Sequence, residues 1–295
     1  MDFSFVILHY NVLNETLSCV KSIRERVQEP VGIVVVDNAS PNGSGKNLEQ
    51  IFKDDENVTV LLNKENLGFA NGNNVGISFA RKKLKSNFVV VLNNDTFLIQ
   101  NDFLKVIRDE WGESRFAVMG PKVFTYSGRN QNPVANKIEN KKQANYWIRH
   151  HFWGLVRTYL GVDDFWLECK AVVKKRIKYR NEMMEKKEAQ DNIRQENVKL
   201  HGCCFVFSPA FFDHFDGFDP RTFMYVEEDI LYNHVRKKNL LTVRSVPPSQ
   251  RPASLYLRHR STGTLSLYSC LRKRPAIAPT EGISMSFSYS LLFFI

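Results

Sequence analysis

Apolar residues along the first hundred positions come in short runs that stop abruptly on polar groups. Phe3 to Leu8, Gly32 to Val36, Val58 to Leu62 and Phe88 to Leu92 are continuous and rich in β-branched residues. That is the pattern of strands covered on both faces. Between them, Asn14 to Glu25, Gly45 to Phe52 and Asn71 to Leu84 carry helical periodicity. The alternation predicts an α/β chain with a Rossmann-like, mostly parallel central sheet and helices on both faces. In such a sheet ligands bind beyond the carboxyl ends of the strands. Three strands run out into Tyr10-Asn11, Asp37 and Asn93-Asn94-Asp95 at that rim. An Asn-Asn-Asp sequence is also ordinary turn chemistry, so the neighbours have to decide its meaning.

Beyond Asp102 the pattern predicts a helix over Phe103 to Trp111 and a strand over Phe116 to Met119, closed by Gly120-Pro121-Lys122. From about Asn130 to Asn197 the chain turns basic, aromatic and helical, with no strand evident. His201 to Ser208 reads as another buried strand, with Ser208 as cap and Pro209 as first residue of the next helix. Asp216 to Asp219 makes a turn, and Phe223 to Leu231 enters a helix that continues to Lys238. Its first turn holds Glu227, Glu228 and Asp229, of which the helix dipole accounts for one or two. The expected division is an α/β half over 1–128, a basic, aromatic helical insert over 129–200, a second α/β half over 201–244 and an atypical tail over 245–295.

Composition narrows the function classes. With 295 residues, 43% of them hydrophobic, the chain can bury a full core. The five cysteines show neither CxxC spacing nor a disulfide framework, which fits a reducing, cytoplasmic setting. The start lacks the basic region of a signal peptide, and His9 and Tyr10 interrupt its apolar run, so the mature protein is expected to begin there. A net charge of +10 favours an anionic partner. No helix-turn-helix, RRM or zinc-finger pattern supports nucleic acid in that role. The turn His9-Tyr-Asn-Val-Leu-Asn14 contains no glycine, which excludes a G-x-G-x-x-G dinucleotide site, and a P-loop is absent. A nucleotide would therefore be held by side chains and a metal. Asp37 suits a ribose or a base N–H, and Asp95 suits a hard divalent cation that bridges phosphates.

Four blocks in order carry a resemblance: Tyr10-Asn11; Val36-Asp-Asn-Ala-Ser40; Asn63-x-x-Asn66-Leu-Gly-Phe-Ala-x-Gly-Asn-Asn-x-Gly76; and Leu92-Asn-Asn-Asp-Thr96. The chain resembles family 2 glycosyltransferases of the GT-A fold, near the bacterial rhamnosyltransferase-like and capsular polysaccharide branch. The resemblance implies that Asp37 contacts the nucleobase and that Asp95 binds Mn2+ or Mg2+ in a DXD-type motif whose first position is Asn93. It assigns substrate binding to Tyr10, Asn11, Glu15, Asp37, Asn66, Gly68, Asn73, Asn94, His201 and Gly202. The segment Gly217-Phe-Asp219 to Asp229 matches the block that carries the catalytic base. Two registers are open there, with Asp229 first and Glu228 second. A metal- or phosphate-binding His belongs near the C-terminus, where His259 is the candidate.

The implied reaction is inverting transfer from a UDP- or dTDP-sugar to a saccharide or polyprenyl-diphosphate-linked acceptor, in bacterial surface polysaccharide synthesis. The alternatives are a binding homologue without turnover and, behind it, a basic nucleic-acid-binding protein. Gly68, Gly72 and Gly76 leave one helix face bare, for close packing or for phosphate contact by the helix N-terminus. Tyr146 to Leu160 puts Ile148, Phe152, Leu155 and Tyr159 on one stripe, and Lys174 to Arg180 is polybasic. The insert is either an interfacial helix on an anionic membrane surface or an amphipathic element packed on the protein itself. The first option would place the protein peripherally at the inner face of the plasma membrane. Residues 245–295 contain no Asn or Asp, a break in composition that suggests a frameshifted, altered or disordered tail.

Overall fold

The structure is a computed structural model that describes residues 1–125, 132, 134, 141–159, 193–245 and 256–259. The four apolar runs form β1 (Phe3–His9), β2 (Gly32–Asp37), β3 (Val58–Leu62) and β4 (Phe88–Asn93), linked by α1 (Leu13–Arg26), α2 (Ser44–Ile51) and α3 (Gly68–Lys82). All four strands are parallel, in the spatial order β3-β2-β1-β4. The chain works outward from β1 to β3 and then returns to the other side of β1 as β4. This reversal opens a crevice at the carboxyl ends of β1 and β4.

Alternate residues of each strand feed two cores. Phe5, Ile7, Ile33, Val35, Val90 and Leu92 face Cys19 and Ile23 of α1 and Phe103 and Ile107 of α4 (Phe103–Ser114). Val6, Val34, Val36, Val89 and Val91 face Ala70, Ile77 and Ala80 of α3. Burial on both faces is why these strands carry no polar alternation.

The second half completes an eight-stranded sheet with β6 (Val118–Gly120), β8 (Gln195–Glu196), β9 (Cys204–Phe207) and β10 (Thr242–Arg244), in the order β3-β2-β1-β4-β9-β6-β10-β8. β9 runs antiparallel to β4 and β6. It leads into α6 (Pro209–Phe212) and then α7 (Glu227–Lys237). A small second sheet joins β5 (Thr96–Leu98), β11 (Tyr256–His259) and β7 (Lys122–Thr125).

Several expectations need correction. The strand expected over Phe116 to Met119 starts at Val118 and continues beyond Pro121 as β7, in the other sheet. Pro121 has no N–H for the ladder, so the strand changes sheet there. The stretch expected to lack strands holds β8, whose two residues pair antiparallel with β10. So short a strand leaves no periodic signal. α3 begins at Gly68 rather than Asn71, because the Phe69 amide finds the carbonyl of Phe223 at 2.7 Å and the Gly68 amide finds Asn66 Oδ1 at 2.9 Å. α7 begins only at Glu227, since Tyr225 and Val226 sit at φ 74° and 69° and cannot continue a right-handed helix. In the tail, Tyr256–His259 is strand β11, and its pairing sets the His259 backbone opposite Thr96, the residue after Asp95. Within 129–200, α5 (Lys141–Tyr159) is described, whereas the polybasic cluster Lys174 to Arg180 lies outside the described residues.

Candidate active site

The rim above β1 and β2 is knitted together by short polar side chains. Asp37 is 5% exposed and accepts from Ser40 Oγ at 2.5 Å and from the Ser40 amide at 3.3 Å. The first turn of α2 comes so close that a Cβ on Gly45 would lie 2.2 Å from Asp37 Oδ2. Asn11 holds φ 65°, donates its amide to Ser40 Oγ at 2.9 Å and accepts from Asn42 Nδ2 through its carbonyl. Tyr10 beside it is 42% exposed at the mouth. Glu15 stands half-buried on the first turn of α1.

Asn38 uses all its hydrogen-bonding capacity to clamp the loop before α3. Its Nδ2 donates to Asn66 Oδ1 at 2.8 Å and to the Gly68 carbonyl at 3.0 Å, and its Oδ1 accepts from Asn63 Nδ2 and the Leu67 amide. Asn66 therefore serves the loop. Asn73, fully buried, donates to the Phe69 carbonyl of its own helix.

The bare face of α3 is a packing face. A Cβ on Gly76 would meet Val6 at 2.4 Å, and one on Gly72 would meet Leu8 at 2.7 Å. Gly68, at φ 75°, would strike the Phe223 carbonyl at 2.0 Å. Farther along the helix, Asn71 Nδ2 donates to the Pro220 carbonyl, and Asn74 both donates to the Phe218 carbonyl and accepts the Phe218 amide. α3 thus carries the loop that leads into α7. Within that loop Arg221 holds the Asp219 carboxyl down at about 2, which makes Asp219 a turn anchor.

The third group gathers at the end of β4. The Asn93 amide donates to the Cys203 carbonyl, Asn94 Nδ2 donates to Thr16 Oγ1 at 3.1 Å, and Asp95 follows, half-buried. Gly202 gives its amide to Glu228 Oε1 at 2.9 Å, and a Cβ on Gly202 would lie 2.6 Å from that oxygen. His201 accepts the Cys203 amide at Nδ1 and donates its own amide to Asn132. The buried Cys203 thiol is raised well above its ordinary value by desolvation, then by the charges of Asp95 and Glu228. The hydrogen bonds of Asn93 to Cys203 and of Gly202 to Glu228 bring the Asp95 loop and Glu228 to the same end of the sheet.

The three acids of α7 are not equivalent. Both oxygens of Asp229 accept from Lys199 Nζ, at 3.1 and 3.0 Å, in a pair whose side chains are 7% and 13% exposed. Glu227 and Glu228 are instead raised above the ordinary glutamate value, in each case mainly by burial. Lys199 was invisible in the sequence, because its partner lies 30 residues away. Asn38 stood inside a quoted motif, but nothing local distinguished a clamp from a ligand.

Among the described residues no group of three or more His, Cys, Asp or Glu could enclose a metal ion. Asp95 offers a hard oxygen donor, half-buried just beyond the end of β4. That suits a cation whose remaining positions are filled by diphosphate oxygens and water rather than by protein. The His259 backbone reaches the same edge through β11. Among the described residues no helix is long and apolar enough to cross a membrane.

Comparison with known proteins agrees with this architecture. Glycosyltransferase GlyG of Streptococcus pneumoniae serotype 4 is 28% identical over 98 residues, which cover 33% of this chain and 31% of that protein. The mannosyltransferase PcManGT of Pyrobaculum calidifontis, solved with GDP-Man and Mn2+, superposes with a TM-score of 0.52 at 12% identity, over 89% of this chain and 58% of its own. GalNAc-T7, solved with UDP, GalNAc and Mn2+, gives 0.55 at 13% identity, over 88% and 44%. The chain thus spans less than two thirds of each of these proteins, and the two structures establish the shared GT-A fold. The family model "Glycosyl transferase family 2" matches residues 4–215, from the first strand to beyond α6, and the chain belongs to that family.

Proposed function

We propose that the protein is an inverting glycosyltransferase that moves a sugar from a UDP- or dTDP-sugar to a saccharide acceptor carried on a polyprenyl diphosphate. The product would serve bacterial surface polysaccharide. The observation that supports this reading is that the end of β4 and Gly202 lie side by side: the Asn93 amide donates to the Cys203 carbonyl and the Gly202 amide to Glu228 Oε1, so the loop of Asp95 and the Glu228 carboxyl stand at the same end of the sheet. Asp37 accepts from the base or ribose of the donor. When bound at Asp95, Mn2+ or Mg2+ neutralises charge on the departing diphosphate. Glu228 takes the proton of the acceptor hydroxyl as its oxygen bonds to the anomeric carbon and the bond to the diphosphate breaks on the opposite face. Burial that raises a carboxyl brings it closer to the working pH of a general base. Asp229, second to Glu228 in this reading, is engaged by Lys199.

A melting-temperature panel of UDP, dTDP and GDP, each with and without Mn2+, tests the reading. Stabilisation by UDP or dTDP that grows with Mn2+ supports it, followed by release of the nucleotide from a donor sugar in the presence of acceptor. Stabilisation by GDP alone would reassign the donor, and binding without turnover would leave a sugar-binding homologue.

The insert is proposed to bring the enzyme to an anionic membrane surface on the cytoplasmic side. Tyr146, Phe152, Trp153 and Tyr159 of α5 are 48% to 92% exposed, which supports an apolar contact beyond the protein itself. Neutralising Lys174, Lys175, Arg176, Lys178 and Arg180 should release the protein from phosphatidylglycerol vesicles in a sedimentation assay. Each basic residue near such a surface contributes about 1 kcal/mol. Equal sedimentation of variant and parent at physiological salt would refute attachment through this cluster.

A further inference from the structure

One buried group at the rim has no part in the reaction as described. His9 closes β1 at 0% exposure, side by side with Asp37 at the end of β2. Its Nδ1 lies 2.7 Å from Thr16 Oγ1, and its Nε2 lies 2.8 Å from Ser44 Oγ and 3.9 Å from Asp37 Oδ1. Thr16 Oγ1 also receives Asn94 Nδ2 at 3.1 Å, and its other neighbour, the Val12 carbonyl, is distant at 3.4 Å. A hydroxyl has one proton to give. Thr16 Oγ1 accepts from Asn94 and has room for a second donor, so it is the shorter contact, 2.7 Å to His9 Nδ1 against 3.4 Å to the Val12 carbonyl, that assigns its proton to His9 and makes Nδ1 the acceptor. The proton of a neutral imidazole consequently sits on Nε2, facing Ser44 and Asp37. Burial lowers the histidine below its ordinary value, against the pull of Asp37, which keeps the ring neutral. All donors in this chain point one way, from Asn94 through Thr16 and His9 to Ser44, an arrangement in which each bond polarises the next.

We infer that His9 is a positioning residue that couples the two ends of the donor site, tying the Asp37 pocket to the Asn94-Asp95 loop through Thr16 and Ser44. The inference rests on the nucleotide-sugar reading of the site. In the folded chain it makes the two ends one unit, so that a cation settling at Asp95 orders the pocket for the nucleoside. By linkage the nucleoside does the same for the cation.

The test uses UDP and Mn2+ as probes, with isothermal titration. In the parent protein Mn2+ should raise UDP affinity. In His9→Phe and in Thr16→Val, which keep volume and lose the hydrogen bonds, that Mn2+ gain should fall by about tenfold, the ordinary size of coupling between sites. The double variant should lose no more than either single one, because the two residues act in series. His9→Asn, which can reach Thr16 from near the Nδ1 position but not Ser44, should not recover the gain. His9→Gln, which reaches the Nε2 position, should not either. An unchanged gain in both single variants, or losses that add in the double variant, would overturn the coupling.

A ligand-free measurement separates this from the function itself. Asn94→Ala should shift the amide resonances of Ser40 and Ser44 in the parent and leave them unmoved in the His9→Phe or Thr16→Val background. Nitrogen spectra should show His9 protonated at Nε2. Absence of the shift, or a proton on Nδ1, would overturn the relay whatever the protein binds. A relay seen in a protein that binds no nucleotide would uphold the relay and remove the donor-site reading.

Discussion

The two ends of the rim are built on opposite principles. Around Asp37 and Asn38 short polar side chains bond one another, and Asn38 alone makes four hydrogen bonds. Around α7 the chain holds groups at a cost. Glu227 and Glu228 are raised by burial, and Tyr225 and Val226 take left-handed backbone angles that β-branched and aromatic side chains disfavour. Phe223, Met224 and Tyr225 stand exposed above them. A binding end gains from being rigid before its ligand arrives, whereas a catalytic end needs a carboxyl whose proton affinity has been pushed toward neutrality. On the proposed function, the difference is where binding and chemistry would divide.

The contrast breaks most completely at Asp95. Asp95→Asn replaces the motif's acidic donor by a neutral amide. Transfer should disappear, together with the Mn2+-dependent part of UDP or dTDP affinity measured by titration calorimetry. Next in size is Glu228→Gln, which should lower kcat by ~10²–10⁴ with nucleotide affinity unchanged. Asp229→Asn with the larger kcat loss would return the role to Asp229. Glu228→Gln also carries a stability signature of its own. Because folding raises Glu227 and Glu228 above 4.5, their contribution is fully present below about pH 4.5 and is lost as pH rises through the folded values. The neutral glutamine escapes that loss, so the melting temperature of the variant relative to the parent should climb as pH rises above about 4.5. A flat difference would place the raised proton affinity elsewhere.

A smaller effect should come from the pair that holds Asp229. Lys199→Met leaves a buried carboxylate without its cation and should cost about 3–5 kcal/mol in urea unfolding, most of it regained when Asp229→Leu is added. If the double variant stays as unstable as the single, the pair does not act as a unit. Smallest is Gly68→Ala, at φ 75° and against the Phe223 carbonyl. It should cost about 2 kcal/mol of stability. It should also reduce kcat more than nucleotide affinity, because the loop it displaces carries α7. A fall in nucleotide affinity alone would mean that Gly68 serves the donor after all.

The expected packing of α3 on the sheet and the position of Asp95 beyond β4 were readable from local pattern, because each follows from a few adjacent residues. The reading that allowed phosphate contact at Gly68 meets the Phe223 carbonyl, a contact made by a residue about 150 positions away, which spacing within α3 cannot report. His9 looked like an interruption of an apolar run. Its two hydrogen-bonding nitrogens acquire meaning only when α1 and α2 bring Thr16 and Ser44 to either side.

The sequence by itself determined the parallel half of the sheet and the residues at its rim. A strand buried on both faces has to be apolar along its whole length, and the first polar residue marks where it leaves the core. Tertiary structure decided the rest: the antiparallel insertion of β9, the change of sheet at Pro121, the placing of Tyr256–His259 between β5 and β7, and the sorting of three neighbouring acids into an ion-paired Asp229 and two raised glutamates. The physical reason is that hydrogen-bond ladders and desolvation depend on which distant groups arrive, and adjacent residues of one chemical class are distinguished only by their neighbours in space.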